Sequence, residues 1–228
     1  MAVHAVTIER HLLRIGAVSS VLGLVLGIVA GAFHGGGGQP NNLQATLPLY
    51  AANNYWELIH LGQFVADILL LVAFIALYRS ITEGVSATLA RLGIIIAVVA
   101  EGIYGVNQAV DGVAIKFVAQ QWVSAPLAEK ADAFRIAEAV RHIEIGTSSL
   151  WTLTSGIVLL LFGLAMALGR AYPRLLGWAA IGLGATEVAY SFNLARHGFT
   201  MSALGMASML MVPWTLFLAF NLWRKAGG

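Results

Sequence analysis

From Glu101 to Gly112 the chain reads EGIYGVNQAVDG, which sets Glu101, Asn107, Gln108 and Asp111 inside an otherwise apolar segment. A gap-free echo, EVAYSFNLARHG, begins at Glu187. It pairs Glu101 with Glu187, Tyr104 with Tyr190, Asn107 with Asn193, Asp111 with His197 and Gly112 with Gly198. Residues at i, i+3, i+7 and i+10 span only ~80° of a helix circumference, so each copy presents its acid, its tyrosine and its Asp or His on one face. The segments before them echo as well: IHLGQ (Ile59–Gln63) resembles IEIGT (Ile143–Thr147) and sets His60 against Glu144. The first apolar segment opens on RIG and closes on HG (His34, Gly35), a pattern compatible with a third copy. Duplicated helix hairpins related by an axis along the membrane normal would bring these faces together.

Three kinds of chemistry fit such residues. The first is a metal site. WELIH supplies Glu57 and His60 as a Glu-x-x-His, and His34, Asp111, His142, Glu144 and His197 fall at comparable depth on other segment ends. Nitrogen and carboxylate donors without thiolate suit Zn, Fe, Mn or Cu. Glu101 and Glu187 lie ~10–15 Å deeper, so one compact di-metal centre using all of them is not expected. The second is a haem b between His60 and His142, with Arg141 for a propionate and Gly62 and Gly146 beside the ring. The third is metal-free acid–base chemistry on a lipophilic molecule. Asp67, Glu101 and Glu187 would act with Tyr104 and Tyr190, in a substrate pocket of Asn107, Gln108, Trp151, Phe192 and Asn193. An ionised carboxylate at the bilayer centre costs about 2.5–3.5 kcal/mol on insertion scales, and two facing glutamates repel. A proton or a cation between them is therefore expected. For Asn and Gln the plainer reading is hydrogen bonding between helices, worth about 0.6 kcal/mol each. The histidines taken singly read equally well as interfacial residues, and Tyr55, Trp56, Trp122 and Trp223 read as interface anchors.

The elements that would position these residues are membrane helices. Of 228 residues 59% are hydrophobic and 11% charged, with a mean hydropathy of +0.80, far from the roughly one-quarter charge of soluble domains. Six apolar spans are read at Leu12–Phe33, Trp56–Tyr78, Leu89–Val113, Glu144–Leu168, Leu175–Ala195 and Ser202–Trp223, each able to cross ~30 Å of hydrocarbon. The apolar run of the first exceeds the ~7–15 residues of a signal-peptide core. Arg10, Arg14, Arg79, Arg91, Arg170, Arg174, Arg224 and Lys225 all fall on one side of six spans, which predicts cytoplasmic termini. The stretch 124–142 has a Ser–Pro start and apolar Leu127, Ala131 and Phe134, and is expected to lie as an amphipathic helix on the outer interface. HGGGGQPNN, from His34, is expected to be a mobile outer loop able to lid the polar funnel.

Several classes are excluded. There is no cysteine, hence no disulfide, thiolate metal site or thiol catalysis. Walker A, Rossmann and Gly-x-Ser-x-Gly patterns are missing, the last span holds no internal lysine for a Schiff base, and the net charge of +2 gives no basic patch for nucleic acid.

The segment GRAYPRLLGWAAIGLGATEVAYSF, with Pro173, Leu176 and Gly177 opening the fifth span, resembles a bacterial family of multi-pass membrane proteins known only as a domain of unknown function. FVADILLLVAFIALYR in the second span extends the likeness loosely. The resemblance implies a six- or seven-helix integral membrane protein and brings no assigned activity; the Glu and His of WELIH stand outside its pattern. The expected location is a bacterial inner (cytoplasmic) membrane.

Taken together, the residues predict an all-α integral membrane protein, one polytopic domain over 1–228. Its leading function is an intramembrane enzyme acting on an isoprenoid- or lipid-like molecule in an outward-opening His/Glu pocket. Proton- or cation-coupled transport is the second reading and a haem- or metal-binding membrane protein the third. Its partners are the lipid bilayer and a small lipophilic substrate, and self-association as a homo-oligomer is compatible with it.

Overall fold

The computed structural model describes residues 2–34, 40–200 and 202–227, with side chains from Glu9 onward. Most of the glycine loop expected to act as a lid, residues 35–39, lies outside the described residues. The helices are α1 (Ala2–His34), α2 (Leu43–Ala52), α3 (Trp56–Ser80), α4 (Gly84–Ala109), α5 (Lys116–Ser124), α6 (Lys130–Leu168), α7 (Arg174–His197), α8 (Ala203–Ala207) and α9 (Met211–Gly227). A π-helical segment, Val110–Ile115, joins α4 to α5, so that Gly84–Ser124 is one helical rod. No strand occurs among the described residues, and six helical rods there are long and apolar enough to cross a membrane. This is an all-α membrane protein.

The spans form a closed ring in chain order. α1 packs on α3, α3 on α4, α4 on α6, α6 on α7, α7 on α9, and α9 returns to α1. Small residues set the closest approaches, as expected where lipid offers no hydrophobic drive for association. A Cβ on Gly156 would meet Gly184 O at 2.9 Å, and one on Gly177 would meet Ala167 N at 2.5 Å and Gly163 O at 2.7 Å. These neighbours are backbone and cannot rotate away. Gly177→Ala is therefore expected to destabilise the α6–α7 pair by about 1–3 kcal/mol, the usual cost of overpacking, read as a lower midpoint of SDS-induced unfolding in mixed micelles. An unchanged midpoint would show that α6 and α7 are not held this closely.

One end of the ring is filled and the other is hollow. The fill is a core of Leu13, Ala76, Leu77, Phe162, Met166, Leu176 and Leu222, among others. Pro173 precedes α7, Leu176 is fully buried, and the Trp214 indole N–H donates to Leu176 O at 3.1 Å. Ser80 Oγ and the Tyr172 hydroxyl lie 2.5 Å apart and pin the α6–α7 turn to the end of α3. Burial pushes the Tyr172 phenol up to about 12, against the smaller opposing effect of the Ser80 hydrogen bond, so this link keeps its proton at any physiological pH.

The hollow end carries a roof that the sequence did not lead one to expect. The rod Gly84–Ser124 and α6, of 41 and 39 residues, are each about 60 Å long, twice what a crossing needs. The stretch 124–142 is not a separate interfacial helix. From Lys130 on it is the first part of α6, collinear with the span that follows, and a helix cannot lie in the membrane plane and cross it without a break. Phe134, Ala137 and Val140 pack on α5 and α2 in a second core with Leu43, Leu47, Tyr50, Trp56 and Ile115, while Leu127 and Ala131 remain exposed. The buried Lys116 ammonium donates to Tyr50 O, Ala51 O and Asn53 O at 2.9, 3.0 and 2.7 Å, satisfying carbonyls at the end of α2.

Candidate functional site

Inside the hollow end are two adjoining chambers. The upper, about 650 Å³, is lined by His34, Gln63, Asn107, Gln108, Asp111, Arg141 and Glu144 among others. The lower, about 380 Å³, is lined by Glu101 and Glu187 with Phe74, Ala97, Val158 and Leu159. Asp67, Leu70, Trp151, Thr152 and Tyr190 line both and form the passage between them. Both volumes fall within the ~300–1,000 Å³ typical of ligand sites. Phe74 stacks on Phe162 at 5.2 Å and faces Trp214 at 6.3 Å, so the lower chamber rests on an aromatic floor.

The carboxyls predicted for acid–base work do reach this space, Glu101 and Glu187 both on the wall of the lower chamber. Asp67 on α3 and Glu101 on α4 lie close enough to sense each other's charge, while Glu187 on α7 sits beside Ser208. Tyr104 is buried and stacks on Trp151 at 4.3 Å; Tyr190 borders both chambers.

The upper chamber holds a denser polar group. His60 is 1% exposed. Its Nδ1 lies 2.7 Å from Trp56 O, which can only accept, so Nδ1 carries the proton and Nε2 is turned inward. Nε2 lies 2.9 Å from Asp111 Oδ2, and His34 Nε2 lies 3.7 Å from the same oxygen. One donor atom from each of His34, His60 and Asp111 falls within 4.8 Å of the other two. Trp56 is enclosed between the two imidazoles and Tyr50, with ring centroids 4.7, 4.6 and 4.4 Å away, and its indole N–H donates to Asp111 O at 2.7 Å. That carbonyl lies in the π-helical segment, where the regular helical pattern is broken.

Beside this cluster Arg141 and Glu144, both buried, pair at 2.7 Å, and Arg141 Nη2 donates to the Tyr50 hydroxyl at 2.9 Å. Arg141 also lies over the Tyr50 and Phe199 rings, 5.3 and 5.6 Å from their centroids. Arg141 Nε and Glu144 Oε2 are left without partners.

Several predicted site residues are elsewhere. Glu57, His142 and His197 are exposed and line neither chamber, so they are not placed to join His34, His60 and Asp111. With His142 outside and His60 turned to Asp111, the bis-His haem pair is not assembled. Glu144 is present, but engaged by Arg141. Asn107 lines the upper chamber, and its Oδ1 accepts from Thr147 and Ser148 at 2.7 and 2.8 Å, as a link between α4 and α6. Gln108 and Trp151 are chamber residues as predicted. Phe192 is 58% exposed on the outer surface, and Asn193 accepts from Thr200 at 3.1 Å. Trp56, read as an interface anchor, is instead buried at the centre of the site, and its i, i+4 spacing from His60 was the signal for that.

The echo between α4 and α7 holds at Glu101/Glu187 and Tyr104/Tyr190 and fails at Asp111/His197. Past Asn107 the third span enters its π-helical segment and continues to Ser124, whereas α7 stops at Gly198 with φ +67°. No family model, curated protein or solved structure matches the chain. What fold and site define is a class: a six-span membrane protein with a two-chambered, carboxyl-lined interior.

Proposed function

We propose that this protein is an intramembrane enzyme that rearranges a lipophilic, isoprenoid-like molecule by moving protons. Asp67, Glu101 and Glu187 are its acid–base groups and the lower chamber is its reaction space. The observation that carries this reading is the placement of three carboxyls from three helices on the walls of a largely apolar chamber. Shifting a double bond, or closing a ring onto one, takes a proton onto one carbon and removes a proton from another. The two steps balance with no oxidant or co-reactant, and they need an acid and a base on different sides of the substrate. Glu101 and Glu187 approach from helices that are not neighbours in the ring. Tyr190, which borders both chambers, orients the substrate beside them, and Tyr104 lines the upper chamber above.

The floor of aromatic and aliphatic side chains favours an enzyme over a transporter using the same carboxyls, since cargo would have to pass Phe162, Met166 and Leu222, all fully buried. The chamber end faces outward and both termini lie in the cytoplasm of a bacterium. Supporting this, Arg79, Arg170, Arg174, Arg224 and Lys225 gather at the filled end, whereas Lys116, Lys130 and Arg141 at the other end are engaged by backbone carbonyls or by Glu144.

The test is solvent exchange. Protein in lipid nanodiscs, loaded with the isoprenoid fraction of its native membrane in D₂O, is expected to place deuterium in one lipid species, read by mass spectrometry. The Glu101→Gln/Glu187→Gln variant is expected not to. Equal incorporation by the double variant would overturn the assignment.

A further inference from the structure

We propose that His34, His60 and Asp111 bind one divalent first-row transition metal ion at the wall of the upper chamber. Three independent features point there. The first is electronic. With its Nδ1–H donated to Trp56 O, His60 turns Nε2 to within 2.9 Å of a carboxylate oxygen, and in the neutral ring that nitrogen carries a lone pair. A buried nitrogen and a carboxylate oxygen this close share either a proton or a metal ion, and the second imidazole converging on the same oxygen is what a metal ion requires and a shared proton does not. Donor atoms on one tetrahedral zinc lie about 3.4 Å apart for bonds of about 2.1 Å. The two distances to Asp111 Oδ2, 2.9 and 3.7 Å, bracket that value.

The second is support around the donors. A metal-binding histidine ordinarily donates its other ring N–H to a carbonyl or carboxylate, which sets both tautomer and ring orientation. Trp56 O does this for His60, and the Trp56 indole holds the Asp111 backbone from the other side. The third is the backbone. π-helical turns are rare and frequently fall at functional sites, and this one carries Asp111. A Cβ on the next residue, Gly112, would fall 2.6 Å from His60 Cβ, so only glycine lets the segment close onto the imidazole.

Two imidazoles and one carboxylate leave coordination positions open toward the upper chamber, the arrangement of reactive rather than structural sites. With no thiolate the set suits zinc, iron(II), manganese(II) or cobalt(II). The site stands apart from the acid–base reading. Metal occupancy is measured without any substrate, and lipid exchange by Glu101 and Glu187 is measured without reference to metal, so either can fail alone.

The experiment is a titration of the full-length protein, stripped with chelator in detergent, with Zn(II) against a chromophoric competitor and with Co(II) followed by its visible bands. One equivalent is expected to bind. Asp111→Asn and His34→Ala, the latter at a half-buried position where loss of the ring is tolerable, are expected to weaken binding at least 100-fold. Trp56→Phe, which removes the indole hydrogen bond together with some buried ring volume, should weaken it about 10-fold. His142→Ala, at an exposed histidine of α6, should bind like the parent. A monodisperse parent that takes up no stoichiometric metal would overturn the proposal. So would Asp111→Asn binding as tightly as the parent, or His142→Ala losing the metal.

Discussion

Arg141→Met is expected to lower stability by about 3–5 kcal/mol, the usual result of removing one partner from a buried ion pair. Arg141 and Glu144 are both almost wholly buried, and Glu144 is 2% exposed. Methionine fills the space of the arginine stem but leaves the carboxyl facing Asp111 with no counter-charge. It also strips the Tyr50 hydroxyl of its donor, loosening α2 from α6. Arg141→Met/Glu144→Leu should recover most of the loss, because an apolar pair of similar volume needs no compensation. Both variants would be compared with the parent by SDS titration in mixed micelles. A cost below about 1 kcal/mol for the single variant would mean that the pair is solvated, as a surface ion pair is.

The second large effect is on turnover. General acid and base groups each contribute about 10²–10⁴-fold, so Glu101→Gln and Glu187→Gln should each slow deuterium incorporation into the lipid by at least about 100-fold. If one gives the proton and the other takes it, the double variant should be little worse than the slower single, because the two act as a unit. Asp67→Asn is informative in a different way. Asp67 borders both chambers and lies near Glu101, so its loss should alter the pH profile of exchange more than its maximum.

The spans were legible because apolar length is read directly, and so was the depth at which each acid lies. Glu101, Glu187 and Asp67 reach the interior because ionisable groups in a membrane helix turn away from lipid. Depth alone says nothing about azimuth, and the structure departs from the sequence expectation there. On α6 the chamber face carries Arg141, Glu144, Ser148 and Thr152, spaced by three or four residues; His142 lies about 100° from one and 200° from the next and has to point outward. That could have been seen in the sequence. The π-helical turn could not, because nothing in VDGVAI distinguishes it from ordinary helix. It shifts Asp111 and breaks the correspondence with His197. The roof differs for a third reason: Leu127, Ala131 and Phe134 suggest a helix facing lipid headgroups, whereas Leu127 and Ala131 stay exposed and Phe134, with Ala137 and Val140, meets a protein surface supplied by α2 and α5.

The account rests on one interior, reached from one end and closed at the other, and the absence of native cysteine allows that to be tested without knowing the substrate. Ser155, on the lower chamber wall, would be changed to cysteine in reconstituted vesicles and its labelling by a small membrane-impermeant thiol reagent followed from each side. Leu127→Cys, at a loop position 93% exposed, marks the chamber end, and Thr82→Cys, in the α3–α4 turn, marks the filled end. The account predicts that Ser155→Cys reacts from the Leu127 side and is silent from the Thr82 side. Reaction from the Thr82 side, alone or equally, would show a path through the core and contradict it.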